Sequence, residues 1–354
     1  MSDFTWPQVL EHLLNDEDLS PDAARWAMAQ IMSGSAAPSQ IAGFLVALRG
    51  KGTSGAELAT LVEVMLDHAV PVDIPGVTVD TCGTGGDNSD SANISTMAAV
   101  VVAAAGEYVV KHGNRSASSK SGSADVLEAL GIPLELSAEQ VAESVQQHGI
   151  GFCFARSFHP AMRFAGPVRA ELGIRTVFNV LGPLANPARP KAQVVGVADP
   201  LMAPIVAAAL AERGSSALVV RGDDGLDEVT TTTTTTFWDC RTGSVQQATV
   251  DVADLGIPRA TAADLRGGDA AENADIMRAV LSPGDAGSLA AIRDATVVNA
   301  AAALVAADSA HSGEAPDLVP ALARQVERAN AAISSGAASE ILAGWVATGA
   351  APRE

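Results

Sequence analysis

Short runs of β-branched residues alternate with longer helical stretches from Val77 onward, and this alternation constrains the fold more than any other feature. The runs lie at about 77–80, 107–111, 150–154, 193–197 and 216–221. Strands separated by helices usually pair in parallel, because a return to the same edge of a sheet requires a crossover connection. The sequence therefore predicts an α/β fold built on a mainly parallel sheet.

Residues 1–73 have helical rather than strand-like patterns, with helices predicted at about 39–49 and 54–68. Two prolines then interrupt the chain. We therefore expect a small helical N-terminal domain over 1–73 and a large α/β domain over 76–354. Within the large domain, the alanine-rich stretch at about 271–349 is predicted to be helical and to cover the sheet.

The first predicted strand leads directly into Gly83-Thr84-Gly85-Gly86-Asp87, a loop with three glycines in four residues. Asn93-Ile94-Ser95-Thr96 then opens an apolar run, 97–105, that is typical of a helix. Bare backbone amides in such a loop, together with a helix N-terminus, bind phosphate well. The loop alone fits a simple strand-to-helix turn equally well.

A second polar segment, Lys111–Asp125, follows the next predicted strand. Three cations and five hydroxyls lie within its first thirteen residues, and carboxylates are missing from that stretch. Exposed charge is usually interspersed with charge of the opposite sign, so this composition favours a second anion-binding loop over an ordinary surface.

An acidic segment, Arg221–Glu228, ends the strand predicted at 216–221 and contains four carboxylates. Carboxylate oxygens suit Mg²⁺, which typically combines one or two of them with substrate phosphates. In a chain with a net charge of −19, an acidic turn is the alternative. The seven threonines that follow, Thr230–Thr236, fit either a low-complexity linker or a strand, and their β-branched side chains favour a strand.

With Arg175-Thr176-Val177-Phe178-Asn179 and Gly182-Pro183-Leu184, the order and spacing of these motifs resemble the anthranilate phosphoribosyltransferase family. The similarity extends from the N-terminal helices to about Asp239. It implies a fold of the nucleoside phosphorylase/phosphoribosyltransferase type, a homodimer, and transfer of the phosphoribosyl group from phosphoribosyl pyrophosphate to the amine of anthranilate. The products would be N-(5-phosphoribosyl)anthranilate and pyrophosphate. It further implies that the segment at about 160–190 packs back onto the helical domain, with the site in the cleft between the domains.

The resemblance also implies three sets of site residues. Phosphoribosyl pyrophosphate would be held by Gly83, Gly86, Asp87, Ser91, Asn93, Ile94, Ser95, Thr96, Lys111, His112, Gly113, Asn114, Arg115, Ser116, Ala117, Ser118, Ser119 and Ser123. Anthranilate would contact Gly83, Asn114 and Arg169, and two Mg²⁺ ions would be bound through Ser95, Asp227 and Glu228.

Several roles stay open at this stage. Asp87 would bind either a ribose hydroxyl or the shell of a metal ion. Arg169 suits a carboxylate because its guanidinium is planar and permanently charged, and an inter-domain salt bridge is the alternative. His112 is a candidate proton acceptor or a wall of the acceptor pocket, and a satisfied structural histidine is the alternative.

Two other functions compete with this hypothesis. A pyrimidine nucleoside phosphorylase would share the architecture but bind inorganic phosphate, and Asp227-Glu228 together with Asn114 and Arg169 disfavour it. A non-enzymatic nucleic-acid-binding relative should be basic, since it must neutralise phosphates, and should lack Arg169. The net charge of −19 therefore argues against nucleic acid as a partner.

Composition bears on the compartment. The N-terminus carries an acid instead of a basic leader, and polar residues interrupt every long apolar stretch, so we expect a cytoplasmic protein without a membrane partner. The three cysteines, Cys82, Cys153 and Cys240, have no paired spacing, which predicts neither a disulfide framework nor a zinc site.

Overall fold

A seven-stranded sheet organises the part of the chain that the structure, a computed structural model, describes: residues 4–116 and 120–349. Its strands are β1 (Thr78–Gly83), β2 (Tyr108–Gly113), β3 (Ile150–Phe154), β4 (Ala192–Gly196), β5 (Ser216–Gly222), β6 (Thr234–Asp239) and β7 (Gln246–Asp251). The strand order is β3-β2-β1-β4-β5-β6-β7. The first five strands in this order pair in parallel, and β6 and β7 add an antiparallel edge. The predicted mainly parallel α/β sheet is confirmed.

Helices precede the sheet and cover both of its faces. They are α1 (Trp6–Leu14), α2 (Pro21–Met32), α3 (Pro38–Lys51), α4 (Gly55–Asp67), α5 (Ile94–Ala104), α6 (Ser123–Leu130), α7 (Ala138–His148), α8 (Ala155–Phe158), α9 (Met162–Leu172), α10 (Phe178–Leu184), α11 (Ala203–Glu212), α12 (Ala270–Leu281), α13 (Ala290–Ser312), α14 (Leu318–Ser334) and α15 (Ala337–Ala347).

One face of the sheet is covered by α5 and α13, which pack on each other and on the central strands. Both helices consist mainly of alanine and valine, and small side chains let helices approach closely. The stretch Gly287–Ser312 is long and apolar enough to cross a membrane by length and composition, but 72% of its most apolar window is buried in this structure. Its burial among α5, α14 and the strands identifies α13 as a core helix.

The N-terminal helices α1–α4 share a second core with α9, α10 and α11. Helix α9 contacts α2 and α3, and α10 contacts α4, so the segment at about 160–190 lies against the N-terminal helices. The sequence predicts only Pro167–Leu172 of α9. The helix begins earlier, at Met162. Pro167 lies near its middle, where it removes one N–H from the helical hydrogen bonds without ending the helix.

The threonine run is only partly a strand. Thr234–Thr236 belongs to β6, whereas Thr230–Thr233 forms a loop whose first hydroxyl donates to Asp224 Oδ2 at 2.8 Å. The edge strand β7 is absent from the prediction, because Gln246–Asp251 is mostly polar and offers little β-branched signal.

Buried Asn299 connects core helix α13 to the loop between β5 and β6. Its Oδ1 accepts from Val229 N at 2.9 Å, and its Nδ2 donates to Val229 O at 2.9 Å. Asn299 is 2% exposed and Val229 is 0% exposed, so no solvent satisfies these groups if the amide is removed. The side chain therefore fixes the loop backbone directly after Asp227-Glu228.

We expect Asn299→Leu to lower the free energy of unfolding by about 2–4 kcal/mol, because two buried backbone groups lose their partners. Urea denaturation followed by circular dichroism measures the loss. The matched control is Thr296→Val, one turn earlier, where the hydroxyl donates to the helix carbonyl of Ile292 at 2.8 Å and lies 3.9 Å from Met97 Sδ, a weak acceptor. That control should cost less than about 1 kcal/mol. Equal losses in the two variants would contradict a specific role for the amide.

Candidate active site

A cavity of about 830 Å³ opens at the carboxyl ends of β1 and β2. Strand β1 is the point at which the sheet divides, since β2 lies on one side of it and β4 on the other. Ligands of open α/β sheets bind at such a switch point, and this volume suits a small-molecule substrate. Helices α9 and α10 also line this cavity.

The structure brings together nearly all of the predicted site residues that it describes. The cavity is lined by Gly83, Gly86, Asp87, Ser91, Asn93, Ile94, Ser95, Lys111, His112, Gly113, Asn114, Arg115, Ser116, Ser123, Arg169, Asp227 and Glu228. Thr96 does not line it: the residue is 1% exposed, and its hydroxyl has no hydrogen-bond partner within the described ranges. Ala117, Ser118 and Ser119 lie outside the described residues.

The glycine-rich loop is less open to a ligand than its sequence predicts. Thr84 N donates to Gly196 O at 2.9 Å, and Gly85 N donates to Asp227 Oδ2 at 2.7 Å. A Cβ on Gly83 would lie 2.4 Å from that same carboxylate oxygen. Glycine is therefore required here for the close approach of Asp227, and two of the loop amides serve the protein itself.

Asp227 and Glu228 form a crowded acidic wall. Burial raises the pKa of Asp227, and the neighbouring Asp87 carboxylate raises it further. Burial and the charge of Asp227 likewise raise the pKa of Glu228, whose Oε1 accepts from Ser95 N at 3.2 Å. Like charges held out of water favour a cation between them. Carboxylate and hydroxyl oxygens are hard donors, so Asp227, Glu228 and the Ser95 hydroxyl are the groups that could hold Mg²⁺, with phosphate oxygens completing its shell.

The other two acids of the segment do not join this wall. Asp224 accepts from the Thr230 hydroxyl and from Leu226 N at 3.1 Å, and Asp223 Oδ1 accepts from the Thr236 hydroxyl at 2.9 Å. Both acids are exposed. They stabilise the turn that carries Asp227-Glu228. Two acids of the segment are therefore structural, and the other two line the cavity.

Two predicted cations already have partners. Lys111 is 1% exposed, and its ammonium donates to Thr81 O and, at 3.3 Å, to Ser95 Oγ. Arg115 pairs with Asp125 at 3.0 Å and Glu128 at 2.7 Å. Lys111 thus holds the Ser95 hydroxyl in position. Arg115 attaches the Lys111–Asp125 segment to α6.

His112 is a neutral, buried hydrogen-bond acceptor. Its Nδ1 lies 3.0 Å from Gly182 O and must carry the proton of that bond, which leaves Nε2 unprotonated. Nε2 is buried without a partner among the described residues. Burial, together with His159, whose ring centroid lies 5.1 Å away, lowers the pKa of His112 to about 3. A base this weak is suited to orienting an amine N–H more than to removing its proton.

Arg169 projects from α9 over the ring of Phe178, with 5.2 Å between the guanidinium carbon and the ring centroid. Burial lowers the pKa of Arg169, although a guanidinium keeps its charge. No carboxylate within the described ranges pairs with it at salt-bridge distance, so the predicted alternative of an inter-domain salt bridge does not form there. An unpaired, half-buried cation beside an aromatic ring fits an aromatic carboxylate.

Several lining residues escape the sequence prediction. They are Arg156, His159, Met162, Arg175 and Phe178, which lie in the segment between β3 and β4. Arg175 and Phe178 belong to a motif that the sequence singles out without giving it a role. The others carry no local signal, because only the packing of this segment onto the N-terminal helices brings them to the cavity.

Comparisons with known proteins agree with this arrangement. Residues 75–339 match a family described as "Glycosyl transferase family, a/b domain", and residues 7–69 match "Glycosyl transferase family, helical bundle domain". The anthranilate phosphoribosyltransferase of Salinispora arenicola is 55% identical over 353 residues, 98% of this chain and 97% of that protein. The enzyme of the same name from a Nocardioides species is 55% identical over 343 residues, 97% of this chain and 98% of its own.

Solved structures give the same answer. The crystal structure of anthranilate phosphoribosyltransferase from Thermus thermophilus superposes with a TM-score of 0.88 at 40% identity, covering 97% of this chain and 99% of the other. The Saccharomyces cerevisiae enzyme in complex with PRPP and Mg has a TM-score of 0.86 at 27% identity, covering 99% of each chain. The chain belongs to the anthranilate phosphoribosyltransferase family.

Proposed function

We propose that the cavity binds Mg²⁺-bound phosphoribosyl pyrophosphate against Asp227, Glu228 and Ser95, and anthranilate against Arg169 and Asn114. The chain then transfers the phosphoribosyl group to the anthranilate amine and releases pyrophosphate. One observation carries the proposal: two repelling carboxylates, and an arginine with no carboxylate partner among the described residues, line the same cavity. The carboxylates suit a metal diphosphate, and the arginine suits a carboxylate.

The chemistry requires positioning more than activation. The arylamine nitrogen is neutral at neutral pH and attacks the anomeric carbon directly, with inversion, as the bond to pyrophosphate breaks. The nitrogen then loses its extra proton to the departing pyrophosphate or to water. Arg169 would hold the carboxylate of anthranilate, and His112 Nε2 would accept a hydrogen bond from the amine. Mg²⁺, when bound, would neutralise the charge that develops on the departing diphosphate. Holding both reactants in one cavity supplies most of the rate.

Finer features of the assembly belong to the same proposal. We include two Mg²⁺ ions, domains at 1–73 and 76–354, and a homodimer formed through the N-terminal helices. Leu14 on α1 is 74% exposed and Val46 on α3 is 47% exposed, which supports an apolar contact there. The three cysteines are free and buried, in keeping with a cytoplasmic enzyme.

The competing functions fit the site less well. A nucleoside phosphorylase binds a neutral base, which leaves no anion for the unpaired Arg169. A nucleic-acid-binding relative needs a basic surface, and this chain carries 41 acids against 22 lysines and arginines.

The purified protein should consume anthranilate only when phosphoribosyl pyrophosphate and Mg²⁺ are both present. The intrinsic fluorescence of anthranilate reports its loss, and a coupled assay reports pyrophosphate release. Thymidine with inorganic phosphate is the control pair of substrates, and comparable turnover of that pair would contradict the proposal.

The double variant Asp227→Asn, Glu228→Gln should lose at least about a hundredfold in kcat/KM, because its site no longer attracts the cation. The same variant should have a higher unfolding temperature than the wild type at pH 8 in the presence of a chelator. Both carboxyls have a pKa that folding raises, so the wild type loses stability as pH rises through the window between their unfolded and folded values. The advantage of the variant should therefore shrink at pH 5.

Exposed Asp73→Asn, Glu135→Gln is the matched control for this change of charge. It should retain wild-type turnover and the wild-type dependence of unfolding temperature on pH. A double variant of Asp227 and Glu228 that keeps full Mg²⁺-dependent turnover would place the metal elsewhere.

Arg169→Gln should lower kcat/KM for anthranilate by about ten- to a hundredfold, the cost of one charge-assisted hydrogen bond. The KM for phosphoribosyl pyrophosphate should change little, because the two substrates contact different residues. Arg163→Gln is the control, since this exposed arginine stacks on Phe164 in the same helix. Equal losses for both substrates with a lowered unfolding temperature would instead show that Arg169 is structural.

A further inference from the structure

The glycine-rich loop leaves little backbone to bind an anion. Gly196 O and the Asp227 carboxylate already occupy the amides of Thr84 and Gly85. The carboxylates on the same wall repel an incoming diphosphate until cations offset them. Side-chain cations must therefore supply part of the attraction.

The cavity is lined by five lysine or arginine residues within the described ranges: Lys111, Arg115, Arg156, Arg169 and Arg175. Lys111 is committed to Thr81 O and Ser95 Oγ, and Arg115 is committed to two acids of α6. Arg169 lies on α9 over Phe178, and Arg156 lies on α8. Arg175 is the cation that touches the glycine-rich loop.

The Arg175 guanidinium lies against the glycine residues of the loop. Its Nη2 donates to Gly85 O at 3.1 Å, and a Cβ on Gly86 would lie 1.7 Å from its Nη1. Gly86 has φ +83°, so a side chain here would be strained as well as obstructed. No carboxylate of the described chain lies within salt-bridge distance of Arg175. Most of its five N–H donors are available to a ligand.

The backbone of Arg175 is held from the N-terminal helices. Arg49 on α3 donates through Nη1 to Arg175 O. The main chain of Arg175 is thus attached to one part of the protein and its guanidinium to another. This arrangement fixes the position of the charge over the loop, which is what bidentate recognition of a phosphate requires.

The position of Arg175 identifies the end of the substrate that it meets. Gly85 contacts Asp227 through its amide and Arg175 through its carbonyl, so the guanidinium lies beside the acidic wall. We propose that Arg175 binds the diphosphate of phosphoribosyl pyrophosphate, as a further substrate-binding residue that reaches the glycine-rich loop from the inter-domain segment. This inference rests on the proposed function and extends it.

The test compares Arg175→Gln with Arg175→Lys. The glutamine variant keeps a donor for Gly85 O but loses the charge, so its KM for phosphoribosyl pyrophosphate should rise about tenfold or more, with less than about a threefold change for anthranilate. Mg²⁺ pyrophosphate should bind more weakly by a similar factor in calorimetry without anthranilate. The lysine variant should recover part of both losses, because it keeps the charge without the fork.

Arg278→Gln is the matched control, because it removes one exposed positive charge from α12, and it should bind both ligands as the wild type does. Unchanged pyrophosphate affinity in a folded Arg175→Gln overturns the inference, as does a raised KM for phosphoribosyl pyrophosphate without weaker pyrophosphate binding, since the contact would then lie at the 5′-phosphate. If the glutamine variant does not fold, wild-type pyrophosphate affinity in the lysine variant also overturns it, because the fork would add nothing. A wild-type protein that binds neither ligand overturns the proposed function itself.

Discussion

The approach of the β5–β6 loop to the ends of β1 and β4 is the contact on which the site depends. A Cβ on Gly196 would lie 1.6 Å from Asp227 O, and one on Gly83 would lie 2.4 Å from its carboxylate. The β5–β6 loop can lie this close only because both strand ends are glycine. Asn299 then holds the loop from the core side through both backbone groups of Val229. The carboxylate wall is therefore imposed by backbone packing, against the repulsion between its own charges.

The positions of the charged side chains in the cavity matter more than the net charge of the chain. The chain has a net charge of −19, and within the described residues no cation forms a salt bridge with Asp227 or Glu228. Lys111 donates to Ser95 Oγ, and Arg115 pairs with two acids of α6. Arg169 lies over Phe178, and Arg175 lies over the glycine-rich loop beside the acidic wall. These two arginines therefore leave the acids of the wall unneutralised before a ligand bridges them.

Sequence predicts the parts of this site that local chemistry determines. Strand positions, the motifs at their ends and the Asp227-Glu228 pair follow from β-branched runs, glycines and adjacent acids. The neutral state of His112 does not, because it depends on burial and on His159, which only the fold brings to its ring. Arg175 lacked a role for the same reason: its partner Gly85 lies ninety positions away. Likewise, packing of the sheet causes two loop amides to bond to Gly196 and Asp227. The glycine pattern alone therefore predicts more free amides for phosphate binding than the loop has.

The strain in the carboxylate wall has a consequence for binding. Burial raises the pKa of Asp227 and Glu228, which means that folding works against their ionisation. A bound cation removes that penalty in the folded state and has little to relieve in the unfolded chain, where the same acids are solvated. In the proposed function, part of the free energy of metal binding would be the relief of this repulsion. Two carboxylates would fill only part of a Mg²⁺ coordination shell and would leave the rest to phosphate oxygens, so the site would favour the metal-bound substrate.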